Sequence, residues 1–237
     1  VRTRIGVLAA VLAALLVTAP VAANAETASA TCKIGIVLPS RLALTSASTP
    51  YGVRLTGQTS CFTYAPWDLS EGLISTGQVL QFWAPNTSGF FTYFGGPASV
   101  HALPRQGGYS LVTTTDPVTG VSETYTLVQS GSNTMRVKYD SRIGWRSAKH
   151  IGRQLRLRAA VASVSDATRY SGSYAAWTGA KIRFQYEHAG VWKTIAVGHA
   201  DTGGVARVVV PFKKGQWRAV SADSSTTWGR STSSHKL

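Results

Sequence analysis

The chain has 237 residues, of which 24 are Lys or Arg and 10 are Asp or Glu, for a formal net charge of +14. That length suffices for two small β domains or one large one, and seven tryptophans, nine tyrosines and seven phenylalanines supply core material. There is no heptad pattern, no long charge run and no apolar stretch of about 20 residues, which argues against a coiled coil, an acidic tail and a helical membrane protein.

The first residues read as a targeting segment. Arg2 and Arg4 precede an apolar run from Ile5 to Val17, Pro20 breaks the run, and Ala23-Asn24-Ala25 offers a small-residue cleavage site, with Ala28-Ser29-Ala30 as a second. A signal peptide over residues 1–25 and a secreted, extracellular chain are the expectation. Cys32 and Cys61 are the only cysteines. Ser29-Ala30-Thr31 lacks the leucine and the preceding small residue of a lipoprotein signal, and two distant cysteines are too few for a metal site. Export permits a disulfide between them.

Ile34 to Leu38, ended by Pro39, and Val53 to Gln58 read as strands. Tyr64-Ala65-Pro66-Trp67-Asp68 reads as an ordered loop with Pro66 fixing the backbone; Asp68 and Glu71 lie close in sequence on a loop, where they suit a bound cation or a cap as readily as the carboxylate pair of a glycosidase. Val79 to Trp83 regains strand character, Pro85 to Gly89 reads as a hairpin turn, and Phe90 to Phe94 as the returning strand. Tyr109 to Thr113, Glu123 to Val128 and Thr134 to Lys138 complete this half, with a turn at Asp116-Pro117 and Thr119-Gly120. Aromatic rings on an exposed sheet face can stack on sugars, so Trp83, Phe91 and Tyr93 are candidate sugar contacts. Phe91 and Tyr93 point opposite to Phe90 and Phe94, so one of the two sets belongs to the core.

Met135 to Ile143 reads as one strand running directly into the next, and the charge balance changes there. Residues 26–137 hold five basic and five acidic residues, whereas residues 138–237 hold seventeen and five, a net of +12. This predicts a neutral N-terminal β domain with the disulfide over 26–137 and a basic C-terminal one over 138–237, joined stiffly. Leu155 to Val161 and Ile182 to Tyr186 alternate apolar and polar residues, and Val191 to Val197, Val205 to Val210 and Trp217 to Val220 follow between turns. Glu187 to Gly190, Asp201 to Gly204 and Pro211 to Gly215 are those turns, and Asp201 and Asp223 read as turn residues. The fold class is all-β: two antiparallel β-sandwich domains.

The alternation also places cations outward. Arg156, Arg158, Lys181, Arg183 and Arg207 occupy strand positions opposite to apolar ones, and Lys213 and Lys214 sit in a turn. These seven are the candidate contacts for an anionic polymer: a wall polymer, extracellular nucleic acid or an acidic polysaccharide. The alternative is that charge of one sign keeps an exported protein soluble, and no nucleic-acid motif accompanies the charge.

Val137-Lys138-Tyr139-Asp140-Ser141-Arg142, Tyr170-Ser171-Gly172, Trp177-Thr178-Gly179-Ala180-Lys181 with Phe184-Gln185-Tyr186, Gly190-Val191-Trp192-Lys193, Asp201-Thr202-Gly203-Gly204, Trp217-Arg218 and Trp228-Gly229-Arg230-Ser231 form a pattern. In these residues the second half resembles the immunoglobulin-like β-sandwich modules of secreted actinobacterial proteins. The first half only loosely resembles their N-terminal partner domain. The resemblance implies a non-catalytic module and brings no catalytic residues. The Cys…Trp…Cys arrangement of antibody domains is absent, since Cys32 and Cys61 both lie in the other half.

Catalytic and metal motifs are missing. His101, His150, His188, His199 and His235 are scattered, and there is no H-E-x-x-H, no G-x-S-x-G and no P-loop. No metal and no cofactor are expected. The function expected is that of a secreted, non-enzymatic binding or structural protein whose basic half contacts anionic polymer. The alternatives are a carbohydrate-binding module and a hydrolase assembled from His101, a serine and Asp68 or Asp116.

Overall fold

The structure, a computed structural model, describes residues 29–71, 74–105, 113–115, 122–131 and 133–237. The expected signal segment, the strand residues 109–112 and the turn at Asp116 to Gly120 lie outside the described residues. Among the described residues, ten strands make up the first part: β1 (Ser29–Val37), β2 (Arg41–Leu44), β3 (Thr49–Gly57), β4 (Tyr64–Glu71), β5 (Ile74–Trp83), β6 (Ser88–Tyr93), β7 (Ala98–Pro104), β8 (Thr113–Thr115), β9 (Ser122–Gly131) and β10 (Thr134–Tyr139). Eight follow: β11 (Ser141–Ile151), β12 (Gln154–Ser163), β13 (Ala175–Ala176), β14 (Lys181–His188), β15 (Val191–His199), β16 (Val205–Pro211), β17 (Gln216–Ser221) and β18 (His235–Lys236).

The first part pairs a sheet ordered β6-β3-β1-β9-β8 with one ordered β2-β10-β7-β4-β5. The second pairs a sheet in which β12 lies between β11 and β16, with β13 alongside, with one ordered β15-β14-β17-β18. Burial follows the period of two that the sequence carries: β3, β10, β12 and β17 alternate buried with exposed or half-buried positions. The buried apolar side chains fall into two clusters. One, with Trp67 and Phe62 fully buried, packs between the first two sheets; the other, around Trp217 and Phe184, packs between the last two. The fold is therefore all-β, two β-sandwiches in succession.

The sheets are antiparallel except at two places. β1 runs parallel to β9, and β2 runs parallel to β10. Pro39 lies between β1 and β2 where the chain leaves one sheet for the other, and Asn133 lies at the matching switch between β9 and β10. Asn133 Nδ2 donates to the Ile36 carbonyl at 3.3 Å, tying the two switches together. At the end of β9, a Cβ on Gly131 would stand 1.7 Å from the Ala102 carbonyl oxygen, so only glycine lets this backbone approach β7.

Three expectations are corrected. The segment Tyr64 to Asp68 is not a loop but the start of β4, an interior strand; its Pro66 carbonyl accepts from Arg105, beyond the end of β7, so the missing N–H falls where that ladder has stopped. Asp68 and Glu71 are accordingly strand residues. The Pro85 to Gly89 connection is not a hairpin turn, because β5 pairs with β4 in one sheet and β6 with β3 in the other. Glu187 and His188 belong to β14, so the β14–β15 turn is only Ala189 and Gly190, with φ of 51° and 75°.

The Cys32–Cys61 disulfide is present, with Cα atoms 6.0 Å apart, and fastens β1 to the short helical turn after β3. β10 and β11 are separated by Asp140 alone. Around that residue the C-terminal segment folds back: Tyr139 N–H donates to the Thr226 carbonyl at 2.8 Å, and Trp228 N–H to that of Tyr139 at 2.9 Å. The Trp228 indole is buried, donates to the Leu42 carbonyl at 2.9 Å, and carries the Arg41 guanidinium 3.8 Å from its ring centroid.

Candidate functional site

β11, β12 and β16 contain no acidic residue and six basic ones: Arg142, Arg146, Lys149, Arg156, Arg158 and Arg207. In β12, Leu155 and Leu157 enter the core, which turns Arg156 and Arg158 to the outer face, about 7 Å apart along the strand. Strand pairing sets their neighbours. Lys149 stands opposite Arg156, Ser147 opposite Arg158 on one side, and Arg207 opposite Arg158 on the other. A β-bulge between Trp145 and Ser147 inserts Arg146 as an extra residue and re-phases β11: Ile143, Trp145 and Ala148 pack against the core, leaving Arg146 and Lys149 exposed.

The result is an open, cation-lined trough. One groove of about 460 Å³ is bordered by Arg146, Ser147, Lys149, Arg158 and Arg207. A second, of about 420 Å³, adjoins it through Arg146 and continues past Gly144, Ala160 and Arg142. Two of the six cations are engaged. Arg207 pairs with Asp201, and the Arg142 guanidinium lies 3.9 Å from the ring centroid of Tyr174. Arg146, Lys149, Arg156 and Arg158 have no ion-pair or hydrogen-bond partner for their side chains among the described residues.

Four of the five acidic residues of this half lie elsewhere, and the fifth, Asp201, pairs with Arg207 at the edge of the trough. Asp140 meets Arg230, Asp166 lies 3.7 Å from Arg169, and Asp223 accepts from Gly229 N–H at 2.6 Å. Glu187 stands on the other sheet opposite Trp192. Asp201 folds the β15–β16 turn, its Oδ1 accepting from Gly203 and Val205 N–H at 3.0 and 2.9 Å. The Arg207 guanidinium, helped by the Val205 N–H, holds the Asp201 carboxyl below the usual carboxylate range.

The seven cations read from the sequence do not form one patch. Arg156, Arg158 and Arg207 share one outer face, where Arg158 and Arg207 border the trough and Arg156 stands beside it, opposite Lys149. Lys181 and Arg183 alternate with Ile182 and Phe184 of the facing sheet and so lie on the opposite outer face of the sandwich. Lys213 and Lys214 sit in the β16–β17 connection. On that opposite face Arg218 is occupied, donating to Gln185 Oε1 at 2.8 Å and lying 4.3 Å from the Trp192 ring centroid. Arg142, Arg146 and Lys149 are additions that sequence reasoning missed.

The sugar-binding trio is also split. Phe91 and Tyr93 face the core: Tyr93 is buried, its hydroxyl donating to the Gly96 carbonyl at 3.1 Å, and Phe91 packs 5.4 Å from Phe82 between ring centroids. Trp83 alone of the three is exposed, beside Tyr64 at 4.2 Å. The outward set is Phe90 and Phe94, at 89% and 62% exposure.

For the hydrolase alternative, strand register sets His101 opposite Ser70, with Asp68 two residues along β4. Ser70 is buried, and no side-chain hydrogen bond joins the three among the described residues. Asp116 lies outside the described residues. No group of three or more His, Cys, Asp or Glu that could hold a metal ion occurs among the described residues.

No protein-family model matches the chain, and no curated protein matches it. Solved structures similar to it include a β-glycosidase from Bacteroides vulgatus (7% identity, TM-score 0.25, covering 88% of this chain and 25% of that one). A tetra-tandem repeat from the extending region of a large adhesion protein is 10% identical, with a TM-score of 0.27 and coverage of 87% and 48%. The fibronectin(III)-like modules of Clostridium thermocellum CbhA are 11% identical, with a TM-score of 0.29 and coverage of 86% and 93%. The chain thus spans about a quarter and about half of the first two. At these scores the likenesses carry no functional inference.

Proposed function

We propose that the protein is a secreted, non-enzymatic binding protein whose trough on β11, β12 and β16 holds an anionic polymer. One observation carries the reading: three adjacent strands present six cations and no acid, and four of those cations are unpaired among the described residues. Cations about 7 Å apart along a strand and about 5 Å apart across it suit a flexible chain of phosphate or carboxylate groups, bound by charge neutralisation with counterion release. No helix among the described residues is long and apolar enough to cross a membrane. The division into a neutral domain over 26–137 and a basic one over 138–237 belongs to the same reading. So does processing after Ala25, since Ser29 already pairs with Thr124 and cleavage after Ala30 would remove the start of β1.

The test is a salt titration of polyphosphate binding by the purified protein. Changing Arg146, Lys149, Arg156 and Arg158 to serine should reduce the slope of log K against log salt by about 3. Changing Lys181, Arg183, Lys193 and Lys236 instead removes the same charge and should leave most of the slope. Equal losses from the two sets would reduce the trough to a generic contribution to net charge and overturn the proposal.

A further inference from the structure

A second site lies in the other sandwich, away from the basic trough. Phe90 of β6 stands opposite Gly52 of β3, at the edge of its sheet, with its side chain on the outer face. Gly52 leaves the ring room: a Cβ there would sit 3.7 Å from Phe90 Cε1, so the ring lies alongside bare backbone. Val37 and Pro39 form the far wall of an open groove of about 410 Å³, and Arg54 and Ser88 border it one side-chain step along the strands. That step is about 7 Å, within the reach of an arginine side chain. Arg54 is exposed and has no ion-pair or hydrogen-bond partner for its side chain among the described residues.

Each part selects against some occupants. An aromatic ring at 89% exposure beside a glycine floor is a flat, wet platform, unlike the interlocking pocket that an aliphatic anchor fills. Solvent-exposed aromatic faces of this kind take ligands that are apolar on one face and hydroxylated at the rim. The lone guanidinium adds charge complementarity for a carboxylate and can grip it through two parallel N–H donors. We infer that this groove is a subsite for an acidic saccharide, the pyranose ring stacked on Phe90 and the ring carboxylate on Arg54. It is a separate site from the trough and stands or falls independently of it.

The experiment is saturation-transfer NMR and calorimetry of the purified protein with di-galacturonate and with its methyl ester, in 0.3 M salt to screen the trough. Di-galacturonate should bind, and the ester at least tenfold more weakly. Phe90→Ala should reduce affinity for both at least tenfold, and its exposure makes it harmless to folding. Arg54→Gln should abolish the preference for the acid while leaving the ester unchanged. Equal affinity for acid and ester, or binding that Phe90→Ala leaves intact, overturns the assignment. So does sedimentation showing a dimer that Phe90→Ala dissociates, since the groove would then hold a second copy of the chain. Substituting the four free trough cations tests the other site and should leave these affinities unchanged.

Discussion

Arg230, ninety residues distant in sequence, reaches Asp140 through two guanidinium nitrogens, Nε at 3.0 Å and Nη2, both on Oδ1. The other carboxylate oxygen accepts from the Tyr174 hydroxyl at 2.7 Å. Since Asp140 is the single residue between β10 and β11, two distant parts of the chain converge on the link between the sandwiches. Asp140→Ala should cost about 2 kcal/mol in denaturant unfolding, the lower end for a charged network because Arg230 is half-exposed. Asp140→Asn, which keeps one acceptor, should cost about half as much. A loss below about 0.5 kcal/mol for alanine would show that the junction is held by its backbone bonds and Trp228 alone.

The β14–β15 hairpin carries a removable strain. Ala189 is the one non-glycine with positive φ among the described residues, and with Gly190 it makes a turn in which both central residues are left-handed. Such turns favour Asn-Gly, and an alanine in this region is disfavoured by about 1 kcal/mol. Ala189→Asn should raise stability by about 0.5–1 kcal/mol, read from the denaturant midpoint at unchanged slope.

Two glycines make a matched pair. Gly131→Ala sets a methyl 1.7 Å from the Ala102 carbonyl oxygen, a backbone atom of β7 that can yield only by parting the sheets. A loss of about 3 kcal/mol or failure to fold is expected. Gly144→Ala, on the open face of β11 with nothing within 4 Å of the added carbon, should be neutral or slightly stabilising.

Asp201 gives the acid side of the stability profile a sign. Its folded carboxyl lies below the unfolded value, first because of Arg207 and then because of the Val205 N–H. It therefore adds stability that is present above the unfolded value, about pH 4, and is lost as pH falls through the lowered folded value. The stability difference between the protein and Asp201→Asn should shrink steadily over that acid window. A difference independent of pH would assign the role of Asp201 to turn geometry alone.

How much of this was legible depends on whether the information was local. In β12, β14 and β17 the alternation of apolar with polar residues stated both the strand and its inward face, and the structure follows it. β4 was hidden because Pro66 speaks against an interior strand, and only the end of β7 beside it removes the objection. On β11 the bulge after Trp145 breaks the period, so Arg146 and Lys149 carried no readable phase. Alternation also cannot say to which sheet a strand belongs, and that non-local choice sends Lys181 and Arg183 to the face opposite Arg156 and Arg158. The same holds for the aromatics: that Phe91 and Tyr93 oppose Phe90 and Phe94 follows from strand geometry, while which pair is wet follows from where the partner sheet lies.

A net of +12 over residues 138–237 beside a balanced 26–137 gives the molecule a permanent electric dipole. Near a negatively charged boundary such a dipole feels a torque as well as an attraction. In a flexible tandem the torque would turn only the charged member. Here Asp140 leaves no slack between β10 and β11, and Trp228 reaches back to Leu42, so the same torque turns both sandwiches together. The pose adopted by the cationic part thereby fixes the direction in which the groove beside Phe90 faces.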